Sequence, residues 1–157
     1  MLVHRFLFVP LLVLSVHSMA ESLCFIGEQP AFSCDIKQKS LSVCVAGDDS
    51  LFYRYGTRQN LEMNLASDTH FSATGYSGGG EGRLTFHNGK YDYVVYSKII
   101  SGEWIDREAG IREKQESAGV YVIKKGKQVA DLSCTEPEDA RITSLPEYEM
   151  ETFVYYD

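Results

Sequence analysis

Apolar and polar residues alternate with a period of two along most of this chain, the signature of β-strands with one face buried. Phe32-Ser33-Cys34-Asp35-Ile36 and Leu41-Ser42-Val43-Cys44-Val45 send alternate side chains to opposite faces on either side of a turn at 37–40, and so predict a hairpin. Leu51-Phe52-Tyr53-Arg54-Tyr55 and Leu61-Glu62-Met63-Asn64-Leu65 repeat the pattern across residues 56–60. Residues 70–76, 83–86, 91–100, 120–124 and 127–134 read as further strands. Asn88-Gly89 between two aromatic strands is the strongest hairpin signal, because both residues tolerate the positive φ of a type I′ turn, and Lys125-Gly126 marks another. No stretch after residue 20 has helical periodicity. Strands recurring every 8 to 12 residues or so predict an all-β fold, an antiparallel β-sandwich or small β-barrel.

Two segments interrupt the alternation. Gly75-Tyr76-Ser77-Gly78-Gly79-Gly80-Glu81-Gly82-Arg83 is a bare, glycine-rich stretch. Glycine lets the backbone approach another surface closely or lets two strands cross. A structural crossing would leave Glu81 and Arg83 outside. A functional loop would carry Tyr76, Ser77, Gly78, Gly79, Gly80, Glu81 and Arg83 into a partner's cleft. Residues 101–117 read as a long charged connection that holds the only tryptophan, Trp104. Ser101, Glu103 and Trp104 head it, and an aromatic anchor inside a polar rim has the composition of an interface hot spot.

The N-terminus changes the picture of where such a sheet works. Residues 1–20 hold His4 and Arg5, an apolar run over 6–16 and then Ser18-Met19-Ala20, which reads as a secretory signal peptide cleaved after Ala20. The apolar run is too short to span a membrane, so the processed chain is expected to have no membrane span. Cys24, Cys34, Cys44 and Cys134 all follow that site, and an even count in an exported domain predicts two disulfides. Four cysteines allow three pairings, all left open by the sequence, and whichever holds Cys134 closes a loop of ninety residues or more. The spacings contain no C-x-x-C pair, so a cysteine metal site is not expected.

The formal charge of the chain is −7, and residues 1–20 contain Arg5 and no acid, so the processed chain carries −8. Residues 136–157 hold seven acids against Arg141 and form an acidic C-terminal tail after a β domain at 21–135; its 152–156 end has the composition of an edge strand. Phosphates would be repelled, which excludes nucleic acid as a partner and favours a cationic one. Enzyme chemistry finds little footing. No G-x-S-x-G elbow is present, and His70 and His87 sit alone beside Phe71 and Phe86. Acid pairs such as Asp48-Asp49 lie in turns, and the triple glycine lacks phosphate-loop spacing. The chain is therefore expected to bind and not to catalyse, with no cofactor and no metal.

The signal peptide, Cys34 and Cys44 on a first hairpin, Tyr53-Arg54-Tyr55-Gly56, Tyr76-Ser77-Gly78-Gly79-Gly80-Glu81, the tyrosine-rich strand 91–96, Gly119-Val120 and a last Cys134 together resemble small exported proteins of Gram-negative bacteria. Their look over residues 22–134 is similar to that of periplasmic lysozyme inhibitors and of immunity proteins against cell-wall-degrading type VI secretion effectors. The resemblance implies a periplasmic antiparallel β protein that blocks a peptidoglycan-degrading enzyme, a cationic cell-wall hydrolase, by inserting loops into its cleft. Such inhibitors often use an S-G-x-x-Y motif, where this chain offers Ser77-Gly78 followed by glycines and Ser101-Gly102-Glu103-Trp104. A small-ligand or envelope-surface binding module is the alternative, and the oligomeric state, a homodimer included, is open.

Overall fold

The computed structural model describes residues 22–156; the signal peptide expected at 1–20 lies outside them. The alternation becomes two sheets. Strands β1 (Gln29–Ile36), β2 (Lys39–Val45), β3 (Leu51–Thr57) and β4 (Asn60–Ser67) form an antiparallel meander of four. Strands β5 (Phe71–Tyr76), β6 (Gly79–Asn88), β7 (Tyr91–Asp106), β8 (Ile111–Lys124) and β9 (Lys127–Ser133) form a second meander. The second sheet gains a sixth strand, β10 (Met150–Glu151), which runs parallel to β5 with Met150 opposite Phe71. The expected edge strand of the tail thus falls on 150–151 and not on 152–156.

The faces that alternation makes apolar meet between the sheets. Phe32, Leu41, Val43, Leu51 and Tyr53 from the first sheet and Leu84, Phe86, Val95 and Val120 from the second share one buried core. Tyr53 carries the contact across, with ring centroids 5.5 Å from both Phe86 and Tyr93. Burial holds the Tyr53 hydroxyl well above the ordinary tyrosine range. The disulfides are Cys24–Cys44 and Cys34–Cys134, the latter with a sequence separation of 100, as the expected long loop requires. Two disulfides fit an extracytoplasmic compartment. No described helix is long and apolar enough to cross a membrane.

The turns are tighter than expected, 37–38 in place of 37–40 and 58–59 in place of 56–60, and of the two glycine-marked turns one is shifted by a residue. Lys125 and Gly126 both take positive φ (52° and 77°), as a type I′ turn demands. At the aromatic hairpin β6 runs through Asn88, so the turn pair is Gly89-Lys90, and glycine at its first position takes the positive φ of 61°.

Each outer face carries a buried arginine beneath a terminal segment. Arg54 of β3 is 1% exposed; its guanidinium donates to both carboxylate oxygens of Glu28, at 2.8 Å to Oε1, and to the carbonyl of Leu23 at 3.3 Å. Arg83 of β6 is 7% exposed and donates to the carbonyl of Val154 at 2.5 Å.

Candidate functional site

The segment expected to be a charged connection is regular sheet. β7 and β8 stay paired from Tyr91–Lys124 out to Asp106–Ile111, with irregularities around Ser101, Trp104 and Asp106. Their neighbours stop sooner. β6 flanks β7 only as far as Ile99, and β9 flanks β8 only from Gly119 to Lys124. Past those points the two strands continue as a two-stranded ribbon, and seven further residues of β7 at about 3.3 Å each carry it roughly 20 Å beyond β6.

A lone hairpin is marginal in water, so the ribbon needs local fastening. Arg112 of β8 donates to the carbonyl of Gly102 at 2.9 Å and lies 5.0 Å from the Trp104 ring as a cation–π partner. At the tip, the Asp106 carboxylate accepts from the backbone N–H groups of Glu108 and Ala109 at 2.9 and 3.0 Å, and Gly110 supplies a φ of 70°. These contacts fix the backbone and leave the apolar side chains outside. Trp104 is 45%, Ile105 70% and Ile111 50% exposed. Three large apolar residues thus stay exposed on one projecting tip, among Glu103, Asp106, Arg107 and Glu108, a concentration of the kind that marks a contact surface.

The glycine run explains itself at the root of this ribbon. The β5–β6 connection is a tight turn at Ser77-Gly78, and its backbone is pressed against β7. A side chain on Gly78 would come within 2.0 Å of Ser101 Oγ, and one on Gly79 within 2.0 Å of the Ile99 carbonyl oxygen. Lys114 Nζ donates to the Gly78 carbonyl from the other strand of the ribbon. The bare backbone is needed for close approach, but the surface approached belongs to the chain itself. Gly79→Ala is therefore expected to destabilise the fold by about 2 kcal/mol or more, through a clash with backbone that cannot swing aside. Thermal unfolding read beside Gly47→Ala, where nothing lies within 4 Å, checks this.

The ten candidate contact residues divide accordingly. Ser77, Gly78, Gly79, Glu103 and Trp104 are exposed; Tyr76, Gly80 and Ser101 are half-buried. Glu81 and Arg83, expected at the end of an inserting loop, instead lie inside β6 at 3% and 7% exposure. Both side chains point to the outer face, where the C-terminal segment lies on Arg83 and Glu81 is enclosed by Arg83 and Tyr76, so they cannot enter a partner's cleft as this chain is folded. Arg83 Nε donates to Glu81 Oε1 at 2.6 Å, and Tyr76 donates its hydroxyl to Glu81 Oε2 at 2.7 Å. Desolvation and then that carboxylate push the Tyr76 hydroxyl up to about 12.

Other chemistry is thin among the described residues. His70 and His87 face each other at 5.4 Å, and each Nδ1 pairs with a carboxylate, Glu151 at 2.6 Å and Asp92 at 2.7 Å. The one group of three potential metal ligands among the described residues is Cys24, Glu28 and Cys44, and its two sulfurs are joined to each other. A cleft of about 750 Å³ opens between β1 and residues 135–143, where Thr135 and Thr143 donate backbone hydrogen bonds to the Asp35 and Ala31 carbonyls. No known protein family, curated protein or solved structure matches the chain.

Proposed function

We propose that this protein is an exported binding protein that inhibits a cell-wall-degrading enzyme by seating the β7–β8 ribbon, with the Ser77–Gly79 turn at its root, on that enzyme. The observation that carries the proposal is the projecting ribbon, whose backbone is fastened while Trp104, Ile105 and Ile111 stay exposed. A rigid aromatic anchor ringed by charge loses little entropy on docking and excludes water from its rim. The formal charge of the processed chain, −8, favours encounter with a cationic partner such as a muramidase. Glu81 and Arg83 have no contact role here; they pair with each other, and with Tyr76 and the Val154 carbonyl.

The test is titration of purified muramidases with the processed chain, reading wall lysis and binding together. Stoichiometric loss of lysis with one of them is the expected result. Trp104→Ala should then weaken binding about 30-fold, the effect of a 2 kcal/mol hot spot, while the melting temperature stays put. Raising salt should slow association and leave dissociation nearly unchanged. A small-ligand module, the second reading, would use the cleft between β1 and residues 135–143 and would be indifferent to Trp104→Ala. Affinity unchanged in that variant would remove the ribbon from the mechanism.

A further inference from the structure

The two outer faces are built alike but closed differently. Over Arg54 lies the segment 22–28, which brings the carboxylate that neutralises the guanidinium, Glu28, and is bolted to β2 by Cys24–Cys44. Removing that cover would strand a buried charge. Over Arg83 lies the segment 150–156, held by a two-residue parallel pairing, by Val154's carbonyl on Arg83, by the rings of Phe153 and Tyr156 at 4.1 and 5.4 Å from the guanidinium carbon, and by two exposed side-chain contacts, Glu151 with His70 Nδ1 at 2.6 Å and the Tyr155 hydroxyl with Thr74 Oγ1 at 3.5 Å. Here the neutralising carboxylate, Glu81, comes from β6 itself.

The floor under the C-terminal segment is thus complete without it. Arg83 is paired with Glu81, Glu81 accepts from Tyr76, and Tyr96 and Tyr121 stack with ring centroids 4.0 Å apart and planes within 9°. The Tyr121 ring lies 5.3 Å from the Arg83 guanidinium carbon. Lifting the segment would open an aromatic groove with a guanidinium in its base and leave no buried charge unpaired, since the one ion pair lost, Glu151 with His70, is exposed. The segment is shallowly seated: Val154 is 51% and Tyr155 69% exposed. Few buried contacts and no covalent tie place it at the low-stability end of the molecule.

We infer that the groove around Arg83 is a peptide-binding site for an extended partner segment with aromatic residues flanking a main-chain carbonyl, and that residues 150–156 are a displaceable strap occupying it in cis. The ligand class is read from the strap itself. Its carbonyl satisfies the guanidinium, its rings lie within cation–π distance of the same group, and Met150–Glu151 pairs with the β5 edge, as a peptide adding a strand would. The groove stands apart from the exposed ribbon tip, so its test does not depend on the hydrolase proposal.

The probe is a fluorescent peptide of residues 148–157, titrated into the full chain and into the full chain carrying Phe153→Ala with Tyr156→Ala. The unlatched variant is expected to bind the peptide at least 10-fold more tightly than the unaltered chain, because a tethered strap competes at an effective concentration of about millimolar. Adding Arg83→Lys to that variant, which keeps the charge and loses the planar fork, should abolish the gain. A folded unlatched variant that takes up no peptide overturns the proposal. A second measurement needs no substitution: amides of 150–156 in the unaltered chain should exchange with solvent at least 100-fold faster than those of β6, and faster still with excess unlabelled peptide. Exchange as slow as the β6 ladder would make the segment an integral strand and equally overturn it.

Discussion

Replacing Cys34 and Cys134 together by alanine is expected to lower the unfolding free energy by about 4.7 kcal/mol, the largest loss available from a single cross-link in this molecule. The bridge closes a loop of 100 residues and joins β1 of the first sheet to the residue that follows β9 of the second. Its absence frees nearly the whole β domain to explore extended conformations when unfolded, and it also removes the covalent clamp between the sheets. Cys24–Cys44 spans 20 residues, so the same entropy relation gives about 3 kcal/mol for its removal. Denaturant midpoints of the two double variants measure the order directly. A larger loss from the shorter bridge would show that it works by holding the 22–28 cover on Arg54 and not by loop closure.

The strands inside the sandwich could be read from sequence because each has one wet and one dry face, and alternation is the direct record of that condition. β1, β2 and β3 fall where Phe32, Leu41, Val43, Leu51 and Tyr53 mark the dry side. The ribbon could not be read in the same way. From Ser101 to Ser117 both faces are largely solvated, no period of two survives, and a strand wet on both sides has the composition of a loop. Ser101-Gly102-Glu103-Trp104-Ile105 therefore looked like an interruption when it is β7 continuing. Trp104 was legible as an anchor on composition, whereas its rigid mounting rests on Arg112, eight residues away across a hairpin that alternation did not reveal.

Glu81 and Arg83 mislead in the opposite way. Charged residues beside glycines read as exposed, and nothing local to residues 75–83 records that a segment about seventy residues later folds over them. The glycines themselves gave the right physics and the wrong neighbour: close backbone approach was legible, but the surface approached was β7 and not a partner. Long-range cover of this sort leaves no periodic trace, and the same holds for Arg54, which alternation puts on the polar face of β3.

Glu28→Ala is expected to cost about 3 to 5 kcal/mol, although Glu28 lies at the edge of the molecule with a side chain 12% exposed. The cost sits on its partner. Arg54 is 1% exposed beneath the rings of Phe25 and Phe52, 3.9 and 5.0 Å from its guanidinium carbon, and without the carboxylate it keeps only the neutral acceptors Leu23 O and Asn64 Oδ1. A cation left in an apolar slot with no counter-charge must draw in water or expel the 22–28 segment. Replacing both members, Glu28→Met with Arg54→Leu, removes the charge along with its partner and should recover most of the loss, since a buried pair is often no better than well-packed apolar residues. The pH dependence carries the same signature. The hydrogen bonds from Arg54 hold the Glu28 carboxyl below its ordinary value of 4.5, so its contribution is complete above that value and is lost as the pH falls through the lowered folded-state value. Acid unfolding of the unaltered chain should therefore steepen below about pH 4, and the double variant should lack that limb. Parallel acid titrations followed by near-ultraviolet circular dichroism would separate the cases. Identical acid limbs in both proteins would mean that the pair carries no net stability and that Cys24–Cys44 alone keeps the cover in place.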